Sequence, residues 1–361
     1  MSGKKFAEVA QQCAAKNSPE STLADGGAST TPPLQFEKSG IPLWLEEIPL
    51  ERAAEFVLQH HYSKVMPKQT KLVLGAHKGK GGPLVGVITF GWGVRPQDTL
   101  RTLFPSLDTG PGFAKQYLEI GKMCVHNSEP KNTESRLLSL AAKYVKKHCP
   151  EVKLIFTWAD ALWGKPGYVY QAANYYYGGF IWTDVYTDKN GIRLHPRQLP
   201  KYTRAVLGLS DEEIRREWSA NNGIGVRRPS KEQLVKYGLK HVFGMQFRYV
   251  FFLCNKEEEQ ALIADSANSR VVKYDTTLSN RDPKTRRIEK VAVVAHVKKK
   301  AIKWVRGHEI DLITGEKKSV YPKAGDMNWK IDDGQEKNGK PSKPVACGKP
   351  QFGEAFDPNR L

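Results

Sequence analysis

Four places in the sequence carry side chains able to do chemistry. His60-His61-Tyr62-Ser63 closes a stretch with helical spacing. An imidazole beside a phenol can share acid–base work or ligate a metal, although such a pair also serves structure. Thr157-Trp158-Ala159-Asp160 ends an apolar run, and a carboxylate just past a buried strand can act as a general base or orient one. Asp also caps loops, which is its plainer role. Tyr168, Tyr170, Tyr175, Tyr176 and Tyr177 crowd a helical stretch that closes with Gly178-Gly179-Phe180. Phenols there can fill a core or supply a general acid. The fourth place is a strand–loop–helix unit over 117–148. Backbone N–H groups at the helix start have no intrahelical partners and form an anion site. Lys131, Asn132, Thr133, Ser135 and Arg136 add polar groups around it. A phosphate or pyrophosphate could dock there, and an ordinary capped helix is the competing reading. Neither GxGxxG nor GxxxxGK[ST] occurs, so nucleotide sites of those kinds are not expected.

Secondary elements must bring these places together. In PLERAAEFVLQHHYS, Ala53, Phe56, Val57 and His60 recur at helical spacing. Pro67 stops any continuation. Lys71–His77 and Leu84–Trp92 are apolar runs joined by GKGGP, a hairpin signature. Residues 105–113 read as a loop and Tyr117–His126 as a strand. The helix that follows places Leu137, Leu140, Ala141 and Tyr144 on one face, with basic residues in its last turn. Val152–Trp158 has the pattern of a buried strand. YVYQAANYYY reads as a helix ending at Gly178-Gly179, and Phe180–Thr187 as a strand. Capping boxes at Ser210–Glu213 and Ser230–Gln233 mark a helical insertion over 208–240. Met245–Cys254 reads as an aromatic strand, and KEEEQALIADSANS as a short helix. The order implies an α+β fold, a mixed sheet with helices on its faces. The short turn between the early strands speaks against a doubly wound sheet.

Composition narrows the partners. The chain has 361 residues, with 56 Lys and Arg against 38 Asp and Glu, a net charge of +18. Such an excess points to a polyanion, of which nucleic acid is the commonest. Residues 267–361 hold 21 Lys/Arg and 12 Asp/Glu, half of that excess. The densest cluster is RDPKTRRIEK through KKKAIKW, with Arg286, Arg287, Lys298, Lys299 and Lys300. Lys64, Lys68 and Lys71 stand beside the His-Tyr pair and are the other expected phosphate contacts. Cys13, Cys124, Cys149, Cys254 and Cys347 are odd in number and scattered, without a CxxC pair. Neither a zinc ribbon nor a disulfide framework is expected. Leu84–Phe90 and Tyr249–Cys254 are far too short for a membrane helix, and no secretory h-region is visible, so the expected location is the cytoplasm. Residues 1–33 read as a flexible arm, 34–256 as the folded domain that holds the chemistry-bearing residues, 257–325 as a basic extension and 326–361 as a disordered tail.

Several words in order resemble the phage-type Mom family, whose members are GNAT-like DNA-modification proteins. They are HYS at 61–63, LEIGKM with Lys122, NTESRLLSL at 132–140, TWAD at 157–160, YQAAN at 170–174, HPR at 195–197 and RYVFFL at 248–253. The resemblance covers about residues 40–255. It implies a GNAT-like mixed sheet and an activity that converts the N6 amino group of adenine in DNA to a methylcarbamoyl form, shielding phage DNA from host restriction. Carried over by motif, it implies that His61, Tyr62, Asp160 and Tyr170 form the active centre. It places Ser135 in the acetyl-CoA site. Lys122 stands where the family usually has Arg, a cation without the bidentate fork. The resemblance also implies double-stranded DNA as partner. Adenine N6 lies inside the duplex, so the base must be flipped out. Trp92, Trp158, Trp163 and Tyr168 are candidate stacking platforms for it. Transfer from acetyl-CoA through its carbonyl would give an amide, whereas a carbamoylmethyl group attaches through its methylene. The donor could therefore be acetyl-CoA or a related species, and His61, Tyr62 and Asp160 have ligand types suited to iron. Two other readings remain open. One is a GNAT acylating an amine of another hypermodified base or of a protein, and the other is a DNA-binding module without catalysis.

Overall fold

A computed structural model of the chain describes residues 34–36, 42–62, 66–67, 69–93, 96–107, 115–195, 198–219, 228–267, 270–281, 288–299, 301–332 and 345–347. The arm read over 1–33 lies outside them. The fold is α+β, a mixed sheet flanked by helices.

The sheet begins with β1 (Leu34–Phe36), β2 (Leu43–Glu47), β3 (Thr70–Lys78) and β4 (Leu84–Gly91), all antiparallel neighbours. Helix α1 (Leu50–His60) joins β2 to β3 and buries Ala53, Ala54, Phe56 and Val57. This is the face that its spacing predicts. After α2 (Pro96–Leu103) comes β5 (Tyr117–Val125), antiparallel to β4. Helix α3 (Thr133–His148) then crosses to β6 (Leu154–Asp160), which runs parallel to β5. Leu137, Leu138, Leu140, Ala141, Tyr144 and Val145 press α3 onto the sheet. Burying four or five such aliphatic and aromatic side chains contributes about 1.5–3 kcal/mol each.

The stretch read as a helix through Tyr177 is shorter than expected. Helix α4 covers only Tyr168–Ala172; Asn174 takes a left-handed φ of 63°, and β7 (Tyr176–Thr187) starts two residues later. The tyrosine run is strand-prone, and its ladder with β9 (Lys240–Phe252) outweighs continuation of the helix. One edge of β9 takes β7. The other takes β6 over Gln246–Phe252 and then β14 (Asn328–Asp332) over His241–Gly244. Thus 328–332, within the segment read as a tail, is a strand of the main sheet, and β15 (Val345–Cys347) pairs with it.

Between β7 and β9 lie β8 (Arg193–Leu194), α5 (Leu199–Leu207), α6 (Asp211–Trp218) and α7 (Lys231–Tyr237). Both predicted capping boxes are present, on Ser210 and Ser230. Leu194, Leu199, Tyr202, Ile214, Trp218, Leu234 and Tyr237 form a core of their own. Helix α8 (Lys256–Ala267) follows, then two hairpins, β10 (Arg270–Arg281) with β11 (Ile288–Lys299) and β12 (His308–Ile310) with β13 (Lys317–Ser319). Among the described residues no helix is long and apolar enough to cross a membrane.

Candidate active site

The parallel pair comes apart soon after it starts. Tyr117, Leu118 and Glu119 pair with Leu154, Ile155 and Phe156, and nothing beyond them pairs between these two strands. The β4–β5 register shifts between Thr89 and Phe90, whose partners are Lys122 and Ile120, so that Gly121 is an extra residue in β5 where the separation begins. There the Thr89 hydroxyl oxygen accepts from the Lys122 amide at 2.9 Å. Gly121 is required at this bend, because a Cβ there would stand 2.6 Å from Pro67 Cγ. The opened strands, residues 120–125 of β5 and 157–160 of β6, wall a cleft of about 1090 Å³.

The four residues implied as the active centre all line this cleft. His61 follows the last residue of α1, its amide donating to Val57 O at 2.9 Å. Its ring stacks on Tyr62 with centroids 4.2 Å apart, and Tyr62 leans on Trp163 at 4.8 Å. Asp160 ends β6 and caps the 3-10 turn Ala161–Trp163, accepting from Leu162 N–H at 2.9 Å. Tyr170 rides on α4, with its hydroxyl 3.3 Å from the Thr157 hydroxyl and its ring against Tyr249 and Tyr175.

Burial raises the Asp160 carboxyl to about 6, opposed by the Leu162 amide and by Arg193. Desolvation pushes the Tyr62 phenol up, reinforced by Tyr170 and Asp160 and opposed by Arg193. Burial also pushes up Tyr170. Both phenols therefore keep their protons at neutral pH. In the β5 wall of the cleft, burial lowers Lys122 to about 8.

Arg193 had no signal in the sequence that set it apart. It comes from the two-residue β8, paired with Thr187 at the end of β7. Its guanidinium lies 3.5 Å from the centroid of the Trp163 ring, a cation–π contact. From there it faces both Asp160 and Tyr62. Lys165, another cation absent from the sequence expectations, lies 5.8 Å from the centroid of the Tyr62 ring.

Of the residues expected around the helix start, only some reach the cleft. Lys122, Asn132 and Ser135 line the cleft, and so does Glu134. The amides of Glu134 and Ser135 make no backbone hydrogen bond among the described residues, as the first turn of a helix dictates. Lys131, Thr133 and Arg136 do not line it. Thr133 is buried and its hydroxyl donates to Pro130 O at 2.7 Å, which removes it from ligand binding. Helical periodicity turns Arg136 away from the side that presents Ser135.

Of the stacking candidates, Trp158, Trp163 and Tyr168 line the cleft. Trp92 does not; it packs with the cluster around Leu100, Phe104 and Tyr117, and Lys71 Nζ sits 4.5 Å from the centroid of its ring. Lys64, Lys68, Arg286, Arg287 and Lys300 lie outside the described residues. Lys298 and Lys299 stand in β11 opposite Val271 and Arg270. Among the described residues no three of His, Cys, Asp and Glu converge as a metal-ligand set. The expected iron set of His61, Tyr62 and Asp160 therefore gains no support from this arrangement.

Comparison with known proteins agrees with the motif order. The model of the Mom protein family matches residues 42–269. "Methylcarbamoylase mom" of Escherichia phage Mu is 32% identical over 133 residues, 37% of this chain and 52% of that protein. The chain thus spans about half the length of this curated relative. Among solved structures, an acetyltransferase of Bacillus subtilis in complex with CoA superposes with a TM-score of 0.28 and 16% identity, covering 60% of this chain and 100% of that one. The ribosomal-protein-S5-alanine acetyltransferase of Vibrio fischeri gives 0.28 and 11%, over 41% and 86%. The family match takes in well over half of the residues and every word from His61 to Leu253 on which the resemblance was built, and the chain belongs to the Mom protein family.

Proposed function

We propose that this chain is a transferase that modifies the N6 amino group of adenine in DNA by a methylcarbamoylation-type reaction, protecting phage DNA from host restriction. The observation that carries this reading is the convergence of His61, Tyr62, Asp160 and Tyr170 on one cleft that the first turn of α3 also lines. Family membership and the phage Mu relative named a methylcarbamoylase support it.

The cleft, about 1090 Å³, is large by the standard of small-molecule sites, which run to about 1,000 Å³. It has space for a nucleobase beside a donor. Trp158, Trp163 and Tyr168 offer π faces for an extruded base. The amides of Glu134 and Ser135, with Lys122 and Asn132, fit the polar part of an acyl-CoA-type donor. Its carbonyl would give an N6 amide with loss of the CoA thiol, so a methylcarbamoyl product needs a related donor activated at its methylene, whose leaving group departs as the N6–carbon bond forms. An exocyclic amine conjugated with its base is a poor nucleophile, so its proton must be taken as the new bond forms. Asp160, ionised above about 6, is basic enough for that step. Tyr62 and Tyr170 keep their protons and act as hydrogen-bond donors to the base or to charge developing on the donor. Arg193 sustains the carboxylate form of Asp160.

The test is nucleoside mass spectrometry of host DNA after expression. Wild type is expected to yield a modified deoxyadenosine, and Asp160→Asn to yield none while DNA binding is retained. An unmodified adenine pool with wild type overturns the reading.

A further inference from the structure

The hairpin of β12 and β13 carries two aliphatic side chains in open solvent. Leu312 is 98% and Ile313 96% exposed, at the apex of the turn. Apolar groups held so far out of the fold gain nothing from burial within it. The turn holding them is braced. Asp311 N–H donates to Glu316 O at 2.9 Å and Gly315 N–H to Asp311 O at 2.8 Å. The Asp311 carboxylate accepts from the amides of Ile313 and Thr314 at 2.8 and 2.9 Å. An apex tied four times is a rigid protrusion rather than a floppy loop.

Its base is fixed to the site. Tyr177 and Val305 exchange backbone hydrogen bonds at 2.8 and 2.9 Å. Trp304 stacks on Phe104 at 5.6 Å and lies over Gly178, where a Cβ would collide with its ring. On the returning side, the Tyr321 hydroxyl donates to Tyr175 O at 2.8 Å. Gln171 Nε2 donates to Pro322 O at 2.9 Å, and the Ala324 amide to the Tyr168 hydroxyl at 3.0 Å. Gln171 and Tyr168 belong to α4, which also carries Tyr170. At about 3.3 Å per residue, the seven residues from Val305 to Leu312 keep the apex within about 23 Å of that base. The hairpin lies beyond the family match, which ends at 269.

We propose that Leu312 and Ile313 are an apolar wedge that enters the base stack of duplex DNA beside the nucleotide extruded into the cleft. This rests on the reading of DNA as substrate. Extruding a base leaves a gap bounded by two apolar base faces, and aliphatic side chains fill such gaps in other DNA-bending proteins. Two side chains are far less than the roughly 800 Å² per partner that a protein interface needs, whereas they match one base step. Over 308–319, Lys317 and Lys318 stand against Glu309, Asp311 and Glu316, one acidic group in excess, so the hairpin offers shape and apolarity and no attraction to phosphate.

The test compares the full chain with the Leu312→Ser/Ile313→Ser double variant, whose changes fall on exposed positions. The probes are an alternating dA-dT duplex with 2-aminopurine replacing one adenine, and the same strand alone. Wild type is expected to raise 2-aminopurine fluorescence on the duplex. The double variant should lose most of that rise and lower adenine modification in host DNA by about tenfold or more, while binding the single strand as wild type does. Leu312→Met/Ile313→Leu should restore both. Equal fluorescence and modification by the double variant overturn the wedge alone and assign the apex to another partner. Equal loss of duplex and single-strand binding overturns it as well. Absence of wild-type binding to either probe overturns the wedge together with the reading beneath it.

Discussion

Replacing Asp160 by Asn should make the protein more stable while abolishing the reaction. The two consequences have the same origin. Burial raises the carboxyl from 3.8 to about 6, so the folded chain binds this proton more tightly than the unfolded chain does. The contribution is complete below the unfolded value, and it is lost as pH rises through about 6. At about 1.4 kcal/mol for each factor of ten in proton affinity, wild type gives up about 2.4 kcal/mol between pH 4 and pH 8. Asparagine has no charge to bury, and its side-chain oxygen can still accept from Leu162 N–H, so the 3-10 turn keeps its cap. Urea unfolding at pH 8 should show Asp160→Asn to be more stable than wild type by about 1–3 kcal/mol. At pH 4 the two should differ by less than about 0.5 kcal/mol. Equal stability at pH 8, or a variant weaker than wild type there, would refute both the buried carboxylate and its role as a strained base.

Other perturbations test the remaining parts of the cleft. Arg193→Leu removes the cation facing Asp160, so the acid limb of the modification pH profile should move to higher pH. Loss of the Trp163 stack should cost about 1 kcal/mol in urea unfolding. Lys122→Ala should weaken CoA binding, followed by calorimetric titration, by about tenfold or more. In wild type that affinity should fall as pH rises through about 8, where Lys122 loses its charge. Gly121→Ala forces a methyl group onto Pro67 and should destabilise the chain by about 1–3 kcal/mol, read from the midpoint of urea unfolding.

Much of the candidate site was legible as words but not as a place. His61, Tyr62 and Asp160 stand out because each follows a clear helical period or apolar run, whereas Tyr170 is one of five neighbouring tyrosines and only the family resemblance singles it out. Their meeting depends on the separation of β5 from β6, which follows from a register shift at Thr89 and the missing side chain of Gly121. Neither has a periodic signal. Arg193 escaped notice because β8 is two residues long and its neighbours show no alternation. Trp92 was offered as a platform on residue type alone, and type does not say which side of a sheet a ring faces. In α4 the run YVYQAANYYY suits a helix and a strand about equally, and only pairing with β9 decides where one gives way to the other. The strand at 328–332 lies in a Gly- and Lys-rich stretch whose local composition argues against order. A vacant edge of β9, over His241–Gly244, is what recruits it.

The unzipped part of the β5–β6 pair also bears on how this cleft can change over time. Beyond Glu119 and Phe156, β5 and β6 no longer pair with each other, and the main chain of both borders the cleft. A peptide group offers the same donor and acceptor whatever side chain is attached to it. Substitutions along 120–125 and 157–160 will therefore reshape the walls long before they erase the main-chain groups bordering the cleft. Homologues could exchange one guest for another by small steps, each keeping a main-chain grip already in place.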